Sequence, residues 1–413
     1  MSLKIIKQLI NGEYQAEGQK IHVPVKSVRI DTGLANKAKD LLFECGLIGK
    51  ALIVSDENTH AVLASKIAAS LAIPNDNSLI FKNGVKPDIT KIKIIKRAAK
   101  DCDYIIAVGS GTINDLCKYA SFLLDKPYVV FGTAPSMNGY GSANASIIMH
   151  GHKKTLKAHL PQGIFLDLDI LAKAPARLIR SGLGDSLCRP TAQADWLLSH
   201  LLLDTFYTDI PFQLLKEVEA DLFAHSAALV NGDIETIRLL AETLMLSGFG
   251  MYIAGGSYPA SQGEHMIAHT MEMMFESTLP HSYHGEQIGI TTLTMARLQE
   301  EKFQESGISC QNYIFPENSH LKPSTLKECR EEYKTKQFTV EKLDSINEKL
   351  QNNWGDIKQK ISQVILPHDA LHKTLKDAGC PLLPKDIGWQ DEQYNNALEF
   401  TKFSRGRFTF LDL

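Results

Sequence analysis

Two histidines four residues apart, His265 and His269 in GEHMIAH, fall on one face of any helix that carries them. Both suit a divalent cation, or one binds the ion while the other meets a substrate; for an isolated HxxxH, a pair satisfied within the protein is the commoner outcome. A third histidine, His284, precedes a glycine in SYHGEQIG, with His281 as its rival nearby. Asp185 follows Gly182 and Gly184 in SGLGDSLC. One carboxylate and two imidazoles, with coordination positions left for a substrate oxygen and water, suit catalytic zinc and similar borderline cations.

A second chemistry lies nearer the N-terminus. In VGSGTIND (108–115), Gly109 and Gly111 leave backbone N–H groups open to a phosphate, and Ser110 and Thr112 add hydroxyls. A helix starting at about Ile113 would add its positive dipole end. The full GxGxxG fingerprint is missing, so a plain strand-to-helix turn fits as well. Asp56, just past the run LIVS, could accept from ribose hydroxyls and would repel a 2′-phosphate, which favours NAD; helix capping is the alternative use of a carboxylate there.

These segments need a scaffold, and the chain supplies a parallel one. Apolar runs at 50–59, 77–84, 103–111 and 127–136 alternate with helical patterns at 60–72, 89–100 and 113–124. Such alternation means βαβ units, with ligands at the carboxyl ends of the strands. Those ends here are SDENT, GSGT and GTAPS. The runs at 145–150 and 163–169 are read as strands completing the domain, with the basic HGHKKTLKAH a solvated loop between them. From about Pro175 the pattern is helical, through apolar helices at 190–255, a charged surface region at 300–360 and a terminal helix near 390–404. The expected architecture is an α/β, Rossmann-like nucleotide-binding domain over 1–172 and an all-α domain over 173–413. The cleft between them is the expected site.

Composition excludes several classes. Of 413 residues, 44% are hydrophobic and 22% charged, as in ordinary globular proteins. A net charge of -3 gives no reason to expect nucleic acid or an anionic membrane. The seven scattered cysteines form no CxxC pair, which argues against disulfides and thiolate zinc. The N-terminus lacks a signal-peptide core. The charge-free stretch 243–263 is broken by glycines and Pro259, so it reads as a buried helix and loop rather than a membrane span. A cytosolic protein is expected.

VGSGTINDLCK, GTAPSMNGYGS, GLGDSLCRPTAQADW, GSYPASQGEHMIAH and HGEQIGI occur in an order that resembles the sn-glycerol-1-phosphate dehydrogenases. These belong with the glycerol dehydrogenases, iron-containing alcohol dehydrogenases and 3-dehydroquinate synthases. ADW at 194–196, the PAS before EH, and the ending SRGRFTFLDL resemble the bacterial branch. The resemblance implies a dehydroquinate synthase-like fold, with Asp185, His265 and His284 holding the metal and His269 contacting substrate. It implies NAD(H) or NADP(H) over Gly109, Ser110, Gly111, Thr112 and Ile113. Thr133, Ala134, Pro135, Ser136 and Ser142 would lie near the nicotinamide half, Asp56 at the ribose, and Asn138 at the substrate. The implied reaction is hydride transfer between the dinucleotide and dihydroxyacetone phosphate, giving sn-glycerol 1-phosphate. The implied metal is zinc or nickel, with iron a third choice, in a dimer or larger homo-oligomer.

Two residues depart from the family pattern. Asn138 stands where Asp is usual, and an amide cannot relay a proton near neutral pH. Tyr258 stands where the bacterial branch has Arg, which removes a guanidinium that could recognise phosphate. Lys153, Lys154, Lys157 and Arg189 are the other basic candidates for that role. A polyol or alcohol dehydrogenase, a 3-dehydroquinate synthase-like lyase, and a retired homologue are the competing readings. The intact Asp and two His speak against the last.

Overall fold

The computed structural model describes residues 2–149, 152–317 and 320–413. By their internal contacts, these fall into two units. One joins Met1–Gly182 with Gln213–Gly256; the other joins Leu183–Phe212 with Ser257–Leu413.

The first unit holds three sheets. A small antiparallel pair, β1 (Tyr14–Ala16) and β2 (Gln19–Ile21), precedes β3 (Ser27–Asp31), β4 (Ala51–Asp56), β5 (Ser78–Phe81), β6 (Tyr104–Gly109) and β7 (Tyr128–Gly132). After these come β8 (Asn144–Met149), β9 (His152–Lys157) and β10 (Gly163–Asp167). The main sheet has the order β3-β10-β7-β6-β4-β5, and every pairing in it is parallel. Every residue of β6, β7 and β10 is buried. Continuous apolar runs such as YIIAVG and YVVFG are what a parallel sheet covered on both faces requires.

The chain leaves β4 first towards β5, then returns to place β6 on β4's other side. The topological switch point is therefore between β4 and β6, where open α/β sheets bind ligands outside the carboxyl ends. Those ends are Asp56 and Gly109.

Several expectations need correction. The run at 145–150 does not complete the main sheet. It forms β8, which pairs antiparallel with β9 in a separate hairpin, and His150 lies outside the described residues. The basic segment taken as a loop is β9. The sixth sheet strand is instead β3, whose short SVRID carries no turn signal of its own. The helix after β6 begins at Gly111 rather than near Ile113.

Contacts also group the chain otherwise than a single cut at 172. The Ile234–Ile253 helix packs with the α/β unit. It is buried almost all round from Thr236 to Met251 and lies against the Asn138–Gly141 turn. A helix apolar on every side must be wrapped by neighbours.

The second unit is helical. Residues from 188 to 413 share one core that includes Leu198, Ile267, Met271, Ile288, Trp389 and Phe410. Among the described residues, no helix is long and apolar enough to cross a membrane.

Candidate functional site

Three helices carry the chemistry-bearing side chains, and all three of those residues belong to the second unit. Asp185 is on Ala176–Leu187, His265 on Gly263–Phe275, and His284 opens His284–Gln304. The last helix is locked at its start, where the Tyr283 N–H donates to Glu286 Oε2 at 2.8 Å. The Asp185 and His284 helices approach at glycines. A Cβ on Gly184 would lie 2.0 Å from the carbonyl oxygen of Gly285.

This approach brings the three groups together. One donor atom from each of Asp185, His265 and His284 lies within 4.8 Å of the other two. His265 Nε2 is 3.8 Å and His284 Nε2 3.9 Å from Asp185 Oδ1. Both distances are too long for a hydrogen bond. They suit donors that face a common ion at roughly 2.0–2.2 Å from each. Asp185 and His265 are buried and His284 is half-buried. One carboxylate and two imidazoles match the donor chemistry of a borderline divalent cation, so the residues present fit the metal. His269 joins the cluster, its ring centroid 6.0 Å from that of His265 and 5.8 Å from that of His284. His281 packs edge-on against Tyr283 and has no place in the three-donor group.

Behind His265 lies a residue with no signal of its own in the sequence. Glu264, fully buried, accepts from His265 Nδ1 at 2.9 Å and from the Gln262 N–H at 2.8 Å. The first of these bonds leaves Nε2 as the nitrogen that could donate to an ion.

The three segments that resemble the bacterial branch meet at the start of the same helix. Asp195 of ADW accepts from the Gly263 N–H at 3.0 Å, the Phe410 N–H at 3.1 Å and Gln299 Nε2 at 3.3 Å. Arg407 of the final segment donates to the carbonyl of Ser261, the last residue of PAS, and, at 2.9 Å, to Ser257 Oγ just before it. Its guanidinium lies over the Tyr258 ring, 4.8 Å from the centroid, and that ring stacks on Trp196. A guanidinium therefore stands beside Tyr258 although position 258 does not supply it. Lys336, ion-paired to Asp412 at 2.8 Å, holds the Arg407 carbonyl.

Burial, helped by the charge of Glu264, pushes the Asp195 carboxyl up to about 8 against the pull of its three N–H donors. The folded carboxyl thus binds its proton more tightly than an unfolded one near 4. Its contribution to stability is complete below pH ~4 and is lost as pH rises towards 8. In urea titrations the advantage of the wild type over Asp195→Asn is expected to shrink across that interval and to stay level above it. A difference independent of pH would mean that the donors hold Asp195 ionised throughout.

In the first unit, the helix after β6 starts at the switch point with no side-chain cap from Ser110. Its first-turn N–H groups suit a phosphate. Gly109, however, is required by packing, since a Cβ there would lie 2.7 Å from the Ile113 Cβ. Asp56 serves as a helix cap, its Oδ1 accepting from Thr59 N at 2.8 Å and Thr59 Oγ1 at 2.9 Å. The Thr133 N–H donates to the Gly109 carbonyl at 3.2 Å. The Tyr140 hydroxyl lies within hydrogen-bond distance of the Gly109 and Ala134 carbonyls and braces both turns. Ser136 accepts through its carbonyl from Ser181 Oγ. Asn138 Nδ2 donates to Ser247 Oγ at 3.3 Å.

Lys118 escaped the sequence reading because a mid-helix lysine normally faces water. It is fully buried and donates to the carbonyls of Gly139 at 2.7 Å and Asn144 at 2.9 Å, clamping the turn that contains Ser142. Burial pulls its ammonium down to about 8 despite nearby Asp115. Of the basic candidates, Lys154 and Lys157 sit on β9, the Lys153 side chain lies outside the described residues, and Arg189 NH1 donates to Gln193 Oε1 at 3.0 Å.

Comparison with known proteins gives a consistent pattern. The iron-containing alcohol dehydrogenase family matches residues 29–175. A glycerol-1-phosphate dehydrogenase [NAD(P)+] of Halalkalibacterium halodurans is 32% identical over 314 residues, which span 72% of this chain and 78% of that protein. The protein of the same name from Bacillus subtilis is 32% identical over 266 residues, 62% of this chain and 68% of that one. In structure, a probable glycerol dehydrogenase from Sinorhizobium meliloti superposes with a TM-score of 0.61 over 94% of this chain and 92% of its own. At 16% identity that likeness speaks for the fold alone.

Proposed function

The chain belongs to the glycerol-1-phosphate dehydrogenase family, and on that premise we propose that it interconverts dihydroxyacetone phosphate and sn-glycerol 1-phosphate with NAD(H) or NADP(H). The observation that carries this reading is the Asp185, His265 and His284 donor set. A zinc or nickel ion held there supplies Lewis acidity towards the substrate's carbonyl oxygen.

The protein's own groups do the rest. The uncapped helix at Gly111, with Ser110 and Thr112, receives the dinucleotide's phosphates. Turns 133–136 and 138–142, braced by Tyr140 and Lys118, hold its nicotinamide half. His269, one helical turn from His265, gives the proton that the new hydroxyl needs and takes it back in the reverse direction. Asn138 hydrogen-bonds a substrate hydroxyl without moving a proton. We place the enzyme in the cytosol as a homo-oligomer.

The test is NADH oxidation by zinc- or nickel-loaded protein with dihydroxyacetone phosphate, dihydroxyacetone and 3-deoxy-arabino-heptulosonate 7-phosphate. Turnover is expected with the first. Turnover with dihydroxyacetone but none with its phosphate would sink the proposal.

A further inference from the structure

We infer that Glu264 is a positioning residue for the metal centre, fixing the tautomer and aim of His265 and adding a second buried negative charge behind it. The inference rests on the metal-binding reading above. Asp185 is the only anion among the three proposed ligands, so a divalent ion there keeps a net positive charge in a largely buried place. A carboxylate on the far side of an imidazole ligand compensates that charge through the ring and raises the ring's basicity.

The geometry singles out Glu264 for this work. Its Oε1 is 2.9 Å from His265 Nδ1, and the same oxygen is held by the Gln262 N–H at 2.8 Å, at the start of the helix that carries His265. Thr191 Oγ1 reaches Oε2 at 3.4 Å. The carboxylate is thus anchored by backbone and aimed at one ring nitrogen, and it has no access to solvent. An anion buried this deeply needs a compensating role. Holding one small amide turn would not require a charge, because a neutral acceptor would serve.

Two substitutions separate charge from geometry. In Glu264→Gln the amide oxygen still accepts from His265 Nδ1, and its NH2 can meet the Thr191 hydroxyl, so tautomer and packing survive while the charge is lost. In Glu264→Ala both are lost. The purified, metal-stripped variants and wild type are titrated with zinc against a chromophoric chelator, and the visible spectra of their cobalt(II) forms are recorded. Zinc affinity is expected to fall about tenfold in Glu264→Gln and nearer a hundredfold in Glu264→Ala. The cobalt spectrum should be preserved in the first and shifted in the second.

A purely structural role would lower the melting temperature and leave the affinity of folded protein unchanged. Affinity within twofold of wild type in Glu264→Ala would therefore overturn the inference, as would the same result in Glu264→Gln should the alanine variant not fold. Wild-type protein that takes up neither zinc, nickel nor cobalt would overturn the metal reading itself, and this inference with it.

Discussion

Asp185→Ala is expected to leave dialysed protein with less than about a tenth of the wild type's bound metal and to lower turnover by about 10³-fold or more, the scale of losing several kcal/mol of charge stabilisation in the transition state. Asp185 is the one anionic donor of the three, and its Oδ1 stands 3.8 and 3.9 Å from the two imidazole nitrogens. Without it, two neutral rings remain and no carboxylate neutralises the ion. Elemental analysis after dialysis measures the first effect and NADH oxidation the second. Because the side chain is small and its backbone carbonyl still accepts from the Cys188 thiol, the helix is expected to persist, which circular dichroism checks. Full metal stoichiometry in the variant would show that the ion is held elsewhere.

Gly184→Ala should damage the same site without removing any ligand. The added Cβ would meet Gly285 O at 2.0 Å, Gly285 C at 3.0 Å and Gly289 N at 3.4 Å, all backbone atoms of the His284 helix. Nothing there can rotate away, so the two helices must part by about 1 Å, a strain worth roughly 1–3 kcal/mol. Asp185 follows Gly184 in sequence and His284 precedes Gly285, so the same movement carries both ligands apart. A misplacement of about 1 Å is enough to cost ~10²-fold in a preorganised site. Zinc affinity should therefore drop by about that factor, together with a lower melting temperature. Gly289→Ala supplies the control on the same helix. The atoms nearest its Cβ would be Gly184 Cα and the Leu375 methyls at 3.5–3.6 Å, ordinary contact, so near wild-type behaviour is expected. Equal effects from the two substitutions would contradict this account of the interface.

What could be read in advance follows the range of the interactions involved. The runs LIVS, YIIAVG and YVVFG announce buried parallel strands because burial on both faces leaves them apolar throughout. Helical spacing puts His265 and His269 on one face, while their separate roles rest on the family resemblance. By contrast, β3 and the true partner of β8 depend on where distant chain segments arrive, and no local pattern encodes that. Asp195 reaches Gly263 across 68 positions and Phe410 across 215, so ADW and the final segment carry a family likeness without disclosing their shared purpose. Glu264 was hidden for a different reason. Neighbours in sequence do not ordinarily face each other on a helix, and its bond to His265 arises only because it sits at the helix's first turn. Asp56 shows the ambiguity of a lone carboxylate: a residue type that suits a ribose also suits a cap, and here it caps the turn that follows β4 through one oxygen.

The discontinuous second unit imposes an order on biosynthesis. Its first part, Leu183–Phe212, leaves the ribosome with Asp185, yet the core it belongs to includes Phe410 and Leu413. At about 5–20 residues per second, the roughly 200 residues still to come take about 10–40 s to translate. The first unit has all of its residues once 256 has emerged. The nascent chain can therefore finish one half while Asp185 still waits for both histidines, and Ala194, Leu198 and Leu202 wait beside it without most of their core partners. On the proposed ligand set, an ion can be held by all three residues only after His284 has emerged.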